Sequence, residues 1–202
     1  VPTLEEIRRS LSGHAPRLQP LQGKRQAGVA LVLREDRPEP ELLFIERARQ
    51  EGDPWSGHMA FPGGRVDPGD RDARRAAERE TREEVGLSLA GAAYLGRLDD
   101  LEGRHAGRPA GLVVSAYVYR VAEPPPLVPN YEVQQTIWFP VQDLRDPARQ
   151  VEVRPAPGLP AYPGILVGEP ERHVVWGLTY RFLELFLALA GKPLPPRWRE
   201  TS

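Results

Sequence analysis

The chain has 202 residues, 40% of them hydrophobic and 27% charged, a size that suits one domain with a two-layer core. Lys and Arg total 27 against 28 Asp and Glu, so a formal charge of −1 provides no global basic field for a nucleic acid, and no apolar run approaches the ~18–20 residues of a membrane span. There is no cysteine, which excludes disulfides, thiolate metal sites and a cysteine nucleophile.

The opening VPTLEEIRR lacks the charged start and apolar core of a secretory leader, so a cytoplasmic protein is expected. Residues 3–11 predict a short helix with Thr3 as N-cap and Glu6 completing a capping box. Residues 28–33 (GVALVL) and 41–46 (ELLFIE), joined by the turn-like RPEP, predict a hairpin of core strands. The glycine-rich segment 52–70 reads as a loop with a task, its only strand-like piece at 59–61. Residues 72–85, rich in Ala, Arg and Glu, predict a surface helix closed by Gly86 at C′.

Strands are expected at 93–98, 112–121 and 134–139, separated by a loop at 102–111 and a proline run at 124–129, with a helical turn at 141–144. Beyond a proline-rich stretch at 155–163, residues 177–190 (GLTYRFLELFLALA) are apolar on most of their circumference and predict a buried helix. This order describes an α/β layered domain with a mixed sheet between helices. It is read as one domain over residues 1–202, with a core at about 26–145 and a C-terminal helix at about 176–190.

The chemistry concentrates in RETREEVGL, residues 79–87. On a helix, Glu80, Glu83 and Glu84 fall within an arc of about 100° and repel one another unless a cation sits among them. Oxygen-only ligation suits Mg²⁺ or Mn²⁺ rather than zinc. Taken alone, such a helix also reads as a solvated, salt-bridged face. The glycine-rich turn at 62–64 leads into it, however, and offers bare backbone to a phosphate or metal.

Residues 63–87, GGRVDPGDRDARRAAERETREEVGL, resemble the Nudix box of the Nudix hydrolases, with Arg79, Glu80, Glu83, Glu84, Gly86 and Leu87 matching. Thr81 stands where the pattern has an aliphatic residue. The segment between Gly64 and Arg79 is one residue longer, with Asp70 in place of the first Glu. A longer box of the form GGxxDxxD is similar to that of the coenzyme A pyrophosphatase-like subgroup. LLFIERA (42–48), GHMAFPGG (57–64) and VVWGLTYRFL (174–183) extend that likeness over roughly residues 26–190. The arginine that the subgroup places four residues before the glycine falls at Asp53, leaving Arg47 or Arg49 as displaced candidates.

The resemblance implies a Nudix-type α/β/α sandwich and Mg²⁺- or Mn²⁺-dependent hydrolysis of a diphosphate bond in coenzyme A or a related nucleoside diphosphate derivative. Alternatives are an ADP-ribose, nucleotide-sugar or nucleoside triphosphate pyrophosphatase, and a non-catalytic nucleotide-binding Nudix domain. Glu80 and Glu84, with the Gly64 carbonyl, would bind metal; Glu83 is the first choice for the base or a bridge between metals; Arg79 would pair with a carboxylate of the box. Glu132, in NYEVQQTIWFPV, stands where similar enzymes carry a further acidic residue facing the metals, which makes it a candidate catalytic residue. Gly63, Arg47, Arg49, Trp55 and Arg104 are candidates for substrate binding. His58 is read first as a structural hydrogen-bonding residue and Trp138 as core. The partner expected is a small nucleoside diphosphate, with neither nucleic acid nor membrane, and a homodimer is left open.

Overall fold

In the computed structural model the Thr3 hydroxyl accepts the Glu6 N–H at 3.2 Å and the Glu6 carboxylate accepts the Thr3 N–H at 2.8 Å, the capping box that starts α1 (Leu4–Ser12). The structure describes residues 3–51, 56–105, 108–155, 158 and 160–195, and for 104, 105, 108 and 109 the backbone alone. After α1 come β1 (Arg25–Arg34), β2 (Glu41–Arg47), β3 (Met59–Ala60), β4 (Gly63–Arg65) and α2 (Ala73–Val85). Then follow β5 (Ala93–Arg97), β6 (Leu101–His105), β7 (Arg108–Val121) and β8 (Val133–Pro140), with a 3-10 turn at Val141–Arg145. The last described elements are β9 (Gln150–Val153), β10 (Tyr162–Leu166), β11 (Val174–Trp176) and α3 (Gly177–Leu189).

Eight strands form a mixed sheet, with β3-β2-β1-β7-β5 as its main path and β4, β6 and β8 pairing β1, β7 and β2. The β1–β7 pair is parallel, from Arg25 opposite Leu112 to Arg34 opposite Val121, and the remaining pairs are antiparallel. Alternation along the strands sends Leu31, Leu33, Leu42, Phe44, Val114, Ala116 and Val118 to one face, where Ile7 and Leu11 of α1 and Phe182, Leu183 and Phe186 of α3 cover them. Ala30, Val32, Leu43, Ile45, Tyr117 and Tyr119 point to the other, under Ala73, Ala77 and Val85 of α2. Each large side chain buried this way contributes about 1.5–3 kcal/mol, so both helical layers are held mainly by apolar contact. The architecture is the expected α/β/α sandwich.

Three expectations need correction. Gly63–Arg65 is not a turn but an edge strand, pairing with Ala27–Val29 of β1. The expected loop at 102–111 is largely a hairpin, since β6 pairs with the early part of β7. The proline-rich region contains a second sheet, β11-β10-β9, in which Pro163 stands opposite Glu152. Strands of three to five residues interrupted by proline give no periodic signal to read.

That second sheet is tied to β2 by an ion pair between the exposed Arg172 and the buried Glu46. Arg172 donates from Nε and Nη2 to Glu46 at 3.0 and 2.8 Å. The Glu169 N–H donates to His173 Nδ1 at 2.9 Å, so the ring proton resides on Nε2, which faces the same carboxylate at 3.4 Å. Among the described residues no helix is long and apolar enough to cross a membrane.

Candidate active site

Helix α2 starts where the Asp72 side chain accepts the Arg75 N–H at 2.9 Å and ends at Gly86, whose left-handed φ of 71° suits a residue without a Cβ. Ala73, Ala77, Thr81 and Val85 recur every fourth residue on its buried side. Thr81 is tolerated there because its hydroxyl donates to the Ala77 carbonyl at 2.7 Å. With that side fixed against the sheet, Glu80 and Glu84 are directed at the glycine pair of β4.

The Gly63 N–H donates to Glu84 Oε2 at 2.9 Å. A Cβ on Gly64 would overlap the Glu80 carboxylate, and one on Gly63 would overlap the Gly28 carbonyl and Val29. Arg79 sits on the flank of this contact. Its Nη1 donates to Glu80 at 2.9 Å and to Glu83 at 2.8 Å, while Nη2 donates to Asp70 at 2.9 Å and to the Arg65 carbonyl at 3.2 Å. The longer box therefore brings the shorter Asp70 side chain to the guanidinium. The Arg79 hydrogen bonds hold Asp70 below the usual carboxylate range against the opposing effect of burial.

Glu132 adds to the negative charge that Glu80 and Glu84 experience. The chain before β8 lies along the last turn of α2, with the Val128 N–H donating to the Val85 carbonyl and the Asn130 N–H to the Glu84 carbonyl, both at 2.9 Å. Burial pushes Glu84 up to about 8; the Gly63 N–H and the Arg47 charge oppose that rise, and Glu80 and Glu132 add to it. Glu80 is also raised, first by burial, with Arg79 opposing and Glu83 and Glu132 adding. Glu80, Glu84 and Glu132 thus share one electrostatic neighbourhood.

The other candidates are distributed around it. Glu83 lies on the rim, its side chain 45% exposed and paired with Arg79. Arg47, at the end of β2, donates its N–H to the His58 carbonyl at 3.0 Å and accepts from the Gly57 N–H at 3.1 Å. Arg49 is exposed and passes beside Gly57. The His58 ring packs edge-on against Trp176, centroids 4.9 Å apart. Trp138 packs against the α2-side core and carries the Arg34 guanidinium 4.8 Å from its ring centre. Trp55, Asp53 and the Arg104 side chain lie outside the described residues. Sequence reasoning missed Asn130, although Asn two residues before a structured position is a recognisable Asx-turn signal.

The donor set fits a hard divalent cation: Glu80, Glu84, Glu132 and the Gly64 carbonyl offer only oxygen. Among the described residues no three acidic or histidine side chains already converge as a ligand shell. Arg79 holds Glu80, and one oxygen of Glu84 is turned to Gly63.

A model of the NUDIX domain matches residues 24–161. The chain belongs to the NUDIX domain family. This NUDIX protein is 31% identical over 164 residues to an uncharacterized protein of Schizosaccharomyces pombe, a match covering 71% of the chain and 50% of the relative. It is 39% identical over 82 residues to the mitochondrial coenzyme A diphosphatase NUDT8 of Homo sapiens, covering 41% of the chain and 34% of that protein. It is 40% identical over 80 residues to the uncharacterized Nudix hydrolase NudL of Yersinia pestis, covering 38% and 40%. The matches span half or less of each of these relatives. The crystal structure of a MutT/nudix family protein from Enterococcus faecalis superimposes with a TM-score of 0.56 at 17% identity, covering 94% of this chain and 70% of that one, and shows a shared fold.

Proposed function

We propose that the chain is a pyrophosphohydrolase that cleaves the diphosphate bond of a nucleoside diphosphate derivative, with coenzyme A as the first candidate substrate. The observation that carries this reading is the meeting of the β4 glycine pair with Glu80 and Glu84, since bare backbone beside paired carboxylates is what a cation-bound diphosphate needs. Glu80 and Glu84, with the Gly64 carbonyl and Glu132, would hold Mg²⁺ or Mn²⁺. When bound, such an ion neutralises the diphosphate and stabilises charge developing on the leaving oxygen.

The chain's own groups supply the rest. Glu83, exposed on the rim, accepts a proton from the attacking water as the P–O bond to the leaving phosphate breaks, giving two phosphate monoesters. Arg79 keeps Glu80 and Glu83 in register on α2. Arg47, whose charge acts on Glu84, would meet a phosphate oxygen. The coenzyme A assignment is supported by the similarity to a protein named as a coenzyme A diphosphatase.

The test is release of phosphate monoesters from a panel of coenzyme A, ADP-ribose, dinucleoside polyphosphates and nucleoside triphosphates, with Mg²⁺ and with Mn²⁺. Coenzyme A in the lead, split into phosphopantetheine and 3′,5′-ADP, supports the reading. Another lead compound would replace the substrate, and no turnover of any compound would overturn the hydrolase.

A further inference from the structure

We infer that Asn130 is a positioning residue that fixes Glu132 against Glu84 and thereby completes the carboxylate cluster. The inference rests on the divalent-cation reading of Glu80, Glu84 and Glu132. Asn130 is bonded to the main chain of both Glu84 and Glu132 at once. Its N–H donates to the Glu84 carbonyl at 2.9 Å, and its side-chain Oδ1 accepts the Glu132 N–H at 2.8 Å. Its own carbonyl accepts the Val133 N–H at 3.3 Å, and the Ala48 N–H holds the Glu132 carbonyl at 2.7 Å.

The last carbonyls of a helix have no partner within it, so whatever caps them is placed by the helix itself. Here the caps are Val128 and Asn130, and the segment that delivers them carries Pro124, Pro125, Pro126 and Pro129, which restrict its backbone. The path from Glu84 to Glu132 therefore runs through one residue, by two short hydrogen bonds. The residue type also follows from the charges. Asp would close the same turn but add a negative charge at the negative end of α2, beside carboxylates that already repel. Asn supplies the acceptor without the charge.

The experiment is binding of Mn²⁺ alone, followed by loss of the free-ion electron paramagnetic resonance signal, in the 202-residue wild type, Asn130→Ala, Asn130→Gly, Asn130→Ser, Glu132→Gln and the Asn130→Ala/Glu132→Gln double variant. Thermal melts run in parallel. Removing the acceptor, in either the Ala or the Gly variant, is expected to weaken binding about 10–100-fold, the range for groups that orient a metal ligand. Serine, which keeps an acceptor for the Glu132 N–H, should recover most of the loss. The double variant should bind no more weakly than Glu132→Gln, because the two changes act on one carboxylate. Wild-type binding by Asn130→Ala and Asn130→Gly beside weakened Glu132→Gln would overturn the role of Asn130 and leave the cluster standing. Losses that multiply in the double variant would also overturn it. Unchanged binding by Glu132→Gln would overturn the placing of Glu132 among the ligands, and the inference with it.

Discussion

The Gly63 N–H and the Glu84 carboxylate, 2.9 Å apart, join the edge of the sheet to the acidic face of α2. Burying that carboxylate costs the protein something, because Glu84 lies beside Glu80 and Glu132 and holds its proton up to about 8, a rise that the Gly63 N–H opposes. A carboxylate so placed is a poor free anion and a good ligand, so cation binding and folding should be coupled.

That coupling sets a pH dependence. Glu84 is raised from an ordinary 4.5 to about 8, so between those values the folded chain keeps a proton that the unfolded chain has released. Stability of the metal-free protein from this group is full below pH ~4.5 and falls as pH rises toward ~8, by on the order of a few kcal/mol. Urea melts across this range should show the fall in wild type and a shallower one, the part left to Glu80, in Glu84→Gln. Mn²⁺ should stabilise the wild type more at the alkaline end, where the ligand is ionised.

The two glycines of β4 should separate stability from chemistry. Gly63→Ala drives a Cβ into backbone at Gly28 and Val29 and should destabilise by about 1–3 kcal/mol in a thermal melt. Gly64→Ala meets only the Glu80 side chain, which can swing aside, so the melt should change little while hydrolysis and Mn²⁺ binding fall.

Asp70→Asn keeps the shape of the Arg79 contact and removes its charge. A loss of about 1–3 kcal/mol is expected, since Arg79 then lacks its closest anionic partner outside the helix. Asp70 titrates below its ordinary value, so its contribution is present at neutral pH and is lost as pH falls through that depressed value. The variant should therefore show a shallower acid limb in a stability titration.

Thr81→Val restores the aliphatic residue of the box. Because the Thr81 hydroxyl donates to the Ala77 carbonyl one turn back, its removal should leave stability within about 1 kcal/mol and hydrolysis unchanged. A large loss would show that the hydroxyl has a further role.

Much of this was legible in the sequence because the helical elements carry local signals. Thr3 with Glu6, Asp72 and Gly86 mark helix ends by chemistry that acts over three or four residues, and the structure places α1 and α2 within a residue of their expected bounds. The acids of α2 share a face by periodicity alone. What was not legible depends on distant partners. Gly63–Arg65 becomes a strand only because β1 lies beside it, and Asn130 acquires a task only where the C-terminal end of α2 arrives. The second sheet is tied to β2 through Glu46, more than 120 positions from its partners Arg172 and His173, and no local pattern connects them.

The most direct test of the central claim is hydrolysis of the leading compound of the substrate panel by wild type and by Glu84→Gln, each with and without Mg²⁺ or Mn²⁺. The account predicts turnover to two phosphate monoesters that requires the cation and falls about 10²–10³-fold in Glu84→Gln. Turnover that survives either chelation or the Glu84→Gln change would contradict it.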